Sequence, residues 1–525
     1  MLRAGRAELL PAVSATAQPL AATRPQMSAA LARWWPLAAL TLLGAVLRLS
    51  TLHLQSFWYD EAFTVVRDLH PSLGSTLHSV VHTENNPPLW YLIAWADSRV
   101  FGTGVLALRL PSALCGIALV PVAWAIGSEL GGRRTATLLA ALVAVNPLYV
   151  WYGQEARPYG LFLFTAALAM LCFLRADREP TRSRMALFAL TGALAMLSHY
   201  FAVFLLAGMC LWLLREPGAR RRAALWAVGA LVLVGLALLP LVIAQGGHGT
   251  QWIGRWSLSG RLQAIPQYYL TGYSGAPLGR GIELLVALPV LVGLALGVLY
   301  RTGRPRSGPS TAAAEGARSE RESLLMLLVL IGMGVLAPLA LALLGADYLA
   351  PRNLVAAMIP VSAAIAVIVA SPRTGRGGVA AGAAIVLASL AITVDVDLSP
   401  RLQRGNWRAL AHAIGSGSPA RAITTVQLGE TPLQYYLPGL RSLHTGRRAL
   451  VDEIDETGYA PLRRGAGRPP APGFVLRSRR DIDGLILMRF VSPVPRLVSE
   501  RMLRAHVITL AHPEVLVRRD ARLST

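Results

Sequence analysis

Long apolar runs alternate with short polar segments over the first three quarters of the chain. The runs fall near 34–52, 106–129, 135–151, 159–174, 185–199, 200–214, 223–244, 282–300, 324–345, 353–370 and 378–394. Runs of this length and apolarity predict membrane helices, although several are short for a hydrocarbon core about 30 Å thick. A further apolar run covers Pro88–Phe101. Beyond residue 394 the pattern changes. Ala422–Val426 and Leu485–Phe490 read as strands, and Trp407–Ile414 and Pro432–Tyr436 as short helices. The pattern predicts an all-α polytopic membrane unit over 34–394, preceded by a tail, 1–33, and followed by a small α/β domain, 395–525.

The segments between the runs orient the chain. Gly131–Arg134, Arg175–Arg184, Arg215–Arg222, Tyr300–Glu322 and Ser371–Gly378 are arginine-rich and alternate with arginine-poor connections. Eleven spans that start inside place all five in the cytoplasm, as the positive-inside rule requires. The tail, with Arg3, Arg6, Arg24 and Arg33, is then cytoplasmic, and the first strong apolar run comes too late for a cleaved signal peptide. Connections 53–105, 152–158, 199–200, 245–281 and 346–352 face outward, as does everything after 394. If Pro88–Phe101 crossed the membrane, every arginine cluster would invert. It is therefore expected to lie at the outer interface, started by Pro87–Pro88 and anchored by Trp90, Tyr91 and Trp95 at headgroup level.

Composition narrows the class. The chain has 525 residues, 54% of them hydrophobic and 15% charged, with a mean hydropathy of +0.49. That is too apolar for an ordinary soluble enzyme. The net charge of +22 comes from arginine alone, for there is no lysine. Basic loops against anionic lipid account for it, and no basic, aromatic-interleaved domain points to nucleic acid. Arginine without lysine, with abundant alanine and glycine, hints at a GC-rich bacterial genome. Cys115, Cys172 and Cys210 lie in apolar stretches and indicate neither a disulfide framework nor a metal site. No glycine-rich phosphate loop follows a strand.

Charged and polar residues collect in the outward connections. Asp60–Glu61 is expensive to place beside lipid. It reads either as a solvated pair capping a helix or as a general base or metal ligand. Glu84, Asn85 and Asn86 precede the Pro-Pro pair. The short segment Tyr152–Tyr159 holds Glu155, Arg157 and Tyr159, where a guanidinium against an apolar wall suits phosphate and Glu155 offers a second acid. His199 and Tyr200 stand at a span end, as a cap or as part of a site. Asp347 and Arg352 form either an ion pair with each other or, through Arg352, a hold on an anionic headgroup. Trp252, Trp256, Tyr268, Tyr269 and Tyr273 make 245–281 an interfacial belt or a loop covering a site. The region 395–525 carries Arg- and Pro-rich loops such as Arg463–Pro472 and no evident catalytic constellation.

The motif order adds a resemblance. Trp58-Tyr59-Asp60-Glu61, Asn86-Pro87-Pro88-Leu89-Trp90-Tyr91, Phe101-Gly102, Leu108-Arg109-Leu110-Pro111-Ser112 and Gln154-Glu155-Ala156-Arg157-Pro158-Tyr159 occur in sequence. Together with His199-Tyr200, Arg352 and Asn406-Trp407-Arg408, they resemble glycosyltransferase family 39. That group contains the dolichyl-phosphate-mannose–protein mannosyltransferase-like proteins and the aminoarabinose transferases, of GT-C type. The resemblance covers about 34–370 well and is loose beyond 395. It implies transfer of a sugar (mannose or a similar hexose or pentose) from a polyprenyl-phosphate donor to an acceptor hydroxyl on protein, lipid or glycan, with inversion, at the outer face of the plasma membrane. It implies that Asp60 is the catalytic acid supported by Glu61, and that Glu155 stands near the donor phosphate. Arg157 and Arg352, with Tyr159 close by, are expected at that phosphate. Glu84, Asn85, Asn86, His199 and Tyr200 are expected at the acceptor or as loop support. A divalent ion is an open option for neutralising phosphate and carboxylates. Aminoarabinose transferases carry an acid and a lysine where this chain has Asn85 and Asn86, which argues against aminoarabinose as the sugar. The rival classes are a polytopic transporter or flippase, which would place charges at span midplanes and show internal repeats, and a structural membrane subunit, for which Asp60 would be dispensable.

Overall fold

The computed structural model describes residues 24–272, 280–301, 319–415, 420–506, 508, 513–518 and 523–524. Most of the tail, Tyr273 and the middle of the fourth arginine-rich segment lie outside the described residues.

Each of the eleven apolar runs is helical. Helix α1 is Arg24–Leu49, and the short α2, Tyr59–Phe63, opens the loop that follows. Helices α3 (Leu73–Thr83) and α4 (Leu89–Phe101) complete that loop. The bundle continues with α5 (Val105–Val145), α6 (Pro147–Gly153), α7 (Pro158–Arg178), α8 (Arg182–Ser198), α9 (Ala202–Leu214) and α10 (Ala219–Ala244). After α11 (Gln251–Arg255) and α12 (Leu258–Thr271) come α13 (Arg280–Arg301), α14 (Glu320–Leu343), α15 (Met358–Val369) and α16 (Gly375–Leu398). Among the described residues six helical segments are long and apolar enough to cross a membrane, with shorter apolar helices at Trp34–Leu49, Ala202–Leu214 and Val286–Gly297.

Helix α5 is two antiparallel arms. Gly132 has φ 77°, a left-handed conformation that glycine adopts without a steric penalty. A Cβ on Gly127 would lie 2.5 Å from Ala136 Cα. In one straight helix those residues would stand about 13 Å apart. The turn therefore falls at Gly131–Arg134, where the hydropathy pattern requires one. Arg48, fully buried at the end of α1, donates to Val143 O and Ala144 O at the end of the second arm. Gly116 and Gly153 make room for it, since a Cβ on either would lie 2.6 or 2.9 Å from Arg48 Nε.

Burial separates the middle of the bundle from its rim. The apolar window of α7 is 78% buried and that of α10 only 11%. Helix α10 instead shows Trp226, Leu233, Leu236 and Ile243 on its surface, an apolar face suited to lipid. Helix α4 has 13 residues, about 20 Å, too short for a span. Its aromatics depart from expectation. Trp90 and Tyr91 face the protein interior, packed with Phe57, Val80 and Leu108, because α4 lies under the loop rather than on an open surface. Trp95 donates to His70 O at 3.2 Å.

The bundle has two chemically distinct ends, about 31 Å apart along the 21 residues of α7. At one end the described parts of the arginine-rich segments interlock. Arg175 and Arg178 reach Glu129, Arg215 reaches Asp177 and Glu322, and Arg373 reaches Glu320. At the other end lie the arginine-poor connections.

The C-terminal region is a seven-stranded mixed sheet. Its strands are β1 (Arg421–Val426), β2 (Leu440–Ser442), β3 (Arg448–Tyr459), β4 (Val475–Ile482), β5 (Leu485–Ser499), β6 (Pro513–Arg518) and β7 (Leu523–Ser524). The order is β2-β6-β1-β3-β5-β4, with β1 and β3 parallel and β7 pairing β3. Helices α17 (Trp407–Ile414) and α18 (Glu430–Tyr436) cover one face through Trp407, Leu410 and Leu433. The other face packs Val451, Phe490 and Leu503, the last from α19 (Glu500–Ala505).

Candidate active site

The arginine-poor connections meet around α2. Glu61 at the third position of α2 accepts from Trp58 N and so closes the first turn, where carboxylates favour the positive helix end. The rest of its bonding goes inward. Arg109 donates through Nε to Oε1 at 2.7 Å and through Nη2 to Oε2 at 2.6 Å, and Ala156 N donates to Oε1 at 2.8 Å. Arg109 also holds the carbonyls of Leu52, Gln55 and Ser56, so one guanidinium sets the path of the chain into α2. Burial alone would raise the Glu61 carboxyl, but Arg109 overrides this and holds it below the usual range.

Asp60 turns the other way. Arg352 Nη1 donates to Asp60 Oδ2 at 2.9 Å, and both side chains remain 23% exposed. Arg352 lies over the Trp252 ring at 4.7 Å. The residues expected to pair with each other, Asp347 and Arg352, do not. Asp347 takes a two-pronged bond from Arg261 at 2.6 and 2.7 Å, which lowers its pKa and leaves Arg352 to Asp60.

Arg352 stands in the wall of a cavity of about 340 Å³. Tyr159, His199, Tyr200, Asn85, Asn86 and Trp252 share the polar part of the lining. Met196 of α8, Val203 and Phe204 of α9, and Leu238 and Val242 of α10 form an apolar wall running from it. His199 stacks on Phe162 at 4.7 Å and accepts from Phe201 N through Nδ1. Tyr200 donates to Gln245, which in turn donates to Val80 O and Asn86 O. Asn85 donates to His248 O. These bonds tie the Asn-Asn-Pro-Pro turn to the segment after α10. Trp252, Ile253 and Thr250 bring that segment over the cavity, so of the two readings of 245–281 the covering loop fits Trp252.

Glu155 and Arg157, expected near a donor phosphate, are each buried in a pair of their own and are not in the lining of this cavity. Arg157 grips Glu84 at 2.8 and 2.9 Å and donates to Thr64 Oγ1 and Asp60 O. Glu155 pairs with Arg404 at 2.9 Å. Arg404 comes from the segment leading into α17, lies 4.1 Å over Trp151 and donates to Gln55 Oε1. Glu155 is pushed above the usual carboxylate range by burial, which Arg404 only partly offsets. Behind Glu84 sits Asp68, fully buried and accepting from Thr83 Oγ1 at 2.8 Å. Burial and the negative charge of Glu84 push Asp68 up to about 9, so it carries a proton at neutral pH.

Arg404, Asp68 and Gln245 join these contacts without standing in any of the motifs, and Arg109 stands inside Leu108-Arg109-Leu110-Pro111-Ser112. Arg404, two residues before Asn406-Trp407, was the one with a local signal. A divalent ion does not suit the donors as arranged. Each of the four carboxylates Asp60, Glu61, Glu84 and Glu155 already faces a guanidinium, and among the described residues no three His, Cys, Asp or Glu side chains converge.

Residues 85–243, which include the Asn-Asn-Pro-Pro turn, the Glu155–Arg157 segment and His199-Tyr200, match the family model described as dolichyl-phosphate-mannose-protein mannosyltransferase. The chain resembles a glycosyltransferase family of GT-C type. No curated protein sequence matches it. Among solved structures it is similar to ArnT from Cupriavidus metallidurans in the apo state, at 14% identity over 88% of this chain and 98% of that one, with a TM-score of 0.44. It is similar also to that protein bound to undecaprenyl phosphate, at 14% identity over 86% and 97%, with a TM-score of 0.43. The Archaeoglobus fulgidus oligosaccharyltransferase in the apo form shows 15% identity over 78% of this chain, with a TM-score of 0.39. This chain spans 60% of the length of that oligosaccharyltransferase.

Proposed function

We propose that the protein transfers a sugar from a polyprenyl-phosphate donor to an acceptor hydroxyl, with inversion, at the outer face of a bacterial plasma membrane. The observation that carries this is the cavity of about 340 Å³, whose mouth holds Arg352 and whose apolar wall is built from α8, α9 and α10. An amphipathic ligand with an anionic head and a long isoprenoid tail matches that division. The phosphate lies against Arg352, near Tyr159 and His199, and the tail runs along the wall toward lipid. Asp60 accepts the acceptor's proton as its oxygen attacks the anomeric carbon. Arg352, already within reach of Asp60, stabilises the phosphate as charge builds on the leaving oxygen. Glu155 and Arg157 act at one remove by holding the loops. The membrane unit spans 34–394 with eleven crossings, the tail 1–33 is cytoplasmic, and 395–525 is an outer domain.

The test is transfer by purified protein supplied with polyprenyl-phosphate mannose and other polyprenyl-phosphate sugars. Wild type is expected to release polyprenyl phosphate and label an acceptor, whereas Asp60→Asn does not. Equal transfer by both would defeat the role given to Asp60. An unlabelled acceptor with every donor would defeat the transferase reading.

A further inference from the structure

A second concavity lies beside Tyr59, the residue before Asp60. It has a volume of about 330 Å³ and sits where the segment leading into α17 meets the start of α2. Trp58, Tyr59, Trp407 and Tyr459 supply aromatic surface, while Arg401 and Gln403 add polar groups. Arg401 is exposed, and Trp58, Tyr59, Gln403 and Tyr459 are half-buried, so the lining is reachable from solvent. Its volume falls in the range of about 300–1,000 Å³ typical of small-molecule sites.

The position matters as much as the lining. Asp60 follows Tyr59, which lines this cleft, and its salt-bridge partner Arg352 lines the cavity described above. Arg404 borders the cleft and also clamps Glu155. Two separate concavities thus approach the start of α2, one with an apolar wall and one aromatic and polar. A displacement at carbon needs donor and acceptor on opposite sides of the reacting centre, with the base on the acceptor's side.

We propose that this cleft holds the acceptor, and that the acceptor is a carbohydrate whose pyranose ring stacks on Trp58 and Tyr59. Sugar rings carry a face of C–H bonds that packs on aromatic rings, with hydroxyls around the edge. The cleft offers aromatic faces with guanidinium, amide and phenol groups around them. Tyr59 is held for this by the bond of its hydroxyl to Tyr459 at 3.0 Å and by an edge contact with Trp407 at 5.5 Å. In the transfer, a ring hydroxyl loses its proton to Asp60 and its oxygen bonds the donor's anomeric carbon. The bond from that carbon to the phosphate oxygen breaks, and its electron pair leaves with the polyprenyl phosphate. The inference rests on the donor reading above and adds the acceptor class.

The experiment uses the full chain in nanodiscs and measures two bindings independently. Mannotetraose and maltotetraose probe the cleft, and undecaprenyl phosphate probes the cavity. Wild type is expected to bind all the lipid and at least one of the oligosaccharides. Trp58→Ala should weaken the oligosaccharide about tenfold, whereas Trp58→Phe, which keeps a ring, should stay within about twofold. Arg352→Ala should weaken undecaprenyl phosphate alone. Undecaprenyl phosphate binding without any oligosaccharide binding overturns the cleft and leaves the donor reading standing. Oligosaccharide binding indifferent to Trp58→Ala also overturns it. A serine- and threonine-containing peptide that binds in place of the oligosaccharide and is weakened by Trp58→Ala overturns the carbohydrate assignment. Absence of undecaprenyl phosphate binding by wild type overturns the donor reading itself.

Discussion

Asp60 and Glu61 are neighbours in the chain and opposites in the fold. Each faces an arginine, yet Asp60–Arg352 stays 23% exposed beside a cavity while Glu61–Arg109 is 0–1% exposed. Behind the same loop, Glu155–Arg404 is as deeply placed as Glu61–Arg109, and Glu84–Arg157 is nearly so, at 6%. A buried pair has lost its water and is held by extra hydrogen bonds, so removing one partner strands a charge. An exposed pair can exchange its partner for a ligand at small cost. The difference separates pairs locked inside the protein from one open to a ligand, among residues that a charge pattern alone treats alike.

Breaking the two pairs in turn should break the comparison most sharply. Asp60→Asn is expected to lower the transfer rate about 10²–10⁴-fold with the unfolding temperature unchanged. Arg109→Leu should do the reverse, leaving Glu61 uncompensated and costing about 3–5 kcal/mol of stability, read as a lower detergent unfolding temperature and poor yield. If Arg109→Leu left stability intact, the bracing role would fall. Next in size is Arg352→Lys. It keeps the charge but loses the planar stack on Trp252, for an effect of about 1 kcal/mol, several-fold in donor KM with kcat less affected.

A pH-dependent effect tests the layer behind Glu84. The Asp68 pKa is raised on folding, so the folded state takes up a proton. That contribution to stability is complete below pH 4 and is lost as pH rises through about 9. Wild type should therefore lose unfolding temperature between pH 7 and 9.5. Asp68→Asn, uncharged throughout and still able to donate to Glu84, should lose less. Identical slopes would place the proton elsewhere.

The helical unit was largely legible in the sequence because span length and arginine placement are read locally. The charged residues of the candidate site stand out too, because they collect in the connections. Their pairing does not. Asp60 and Arg352 stand 292 positions apart, and Glu155 and Arg404 stand 249 apart. Local spacing instead offered Asp347 to Arg352, five residues away, whereas the fold brings Arg261 to Asp347. Trp90 and Tyr91 misled for a related reason. An amphipathic ring suits a headgroup layer and a loop's underside equally, and only the packing of α4 decides. In the sheet, β3 hid behind its acids. Asp455 and Glu456 are fully buried there because Arg421 and Arg489 flank the first and His506 meets the second.

The clamp of Arg404 on Glu155 also has a consequence in time. Helices α1 to α7 leave the ribosome long before residue 404 exists. Until then Glu155 has no guanidinium to face, and the segment beside Asp60 lacks one of its ties. A late part of the chain thus supplies a closing pin, and the helices before it are made before their loop end is assembled.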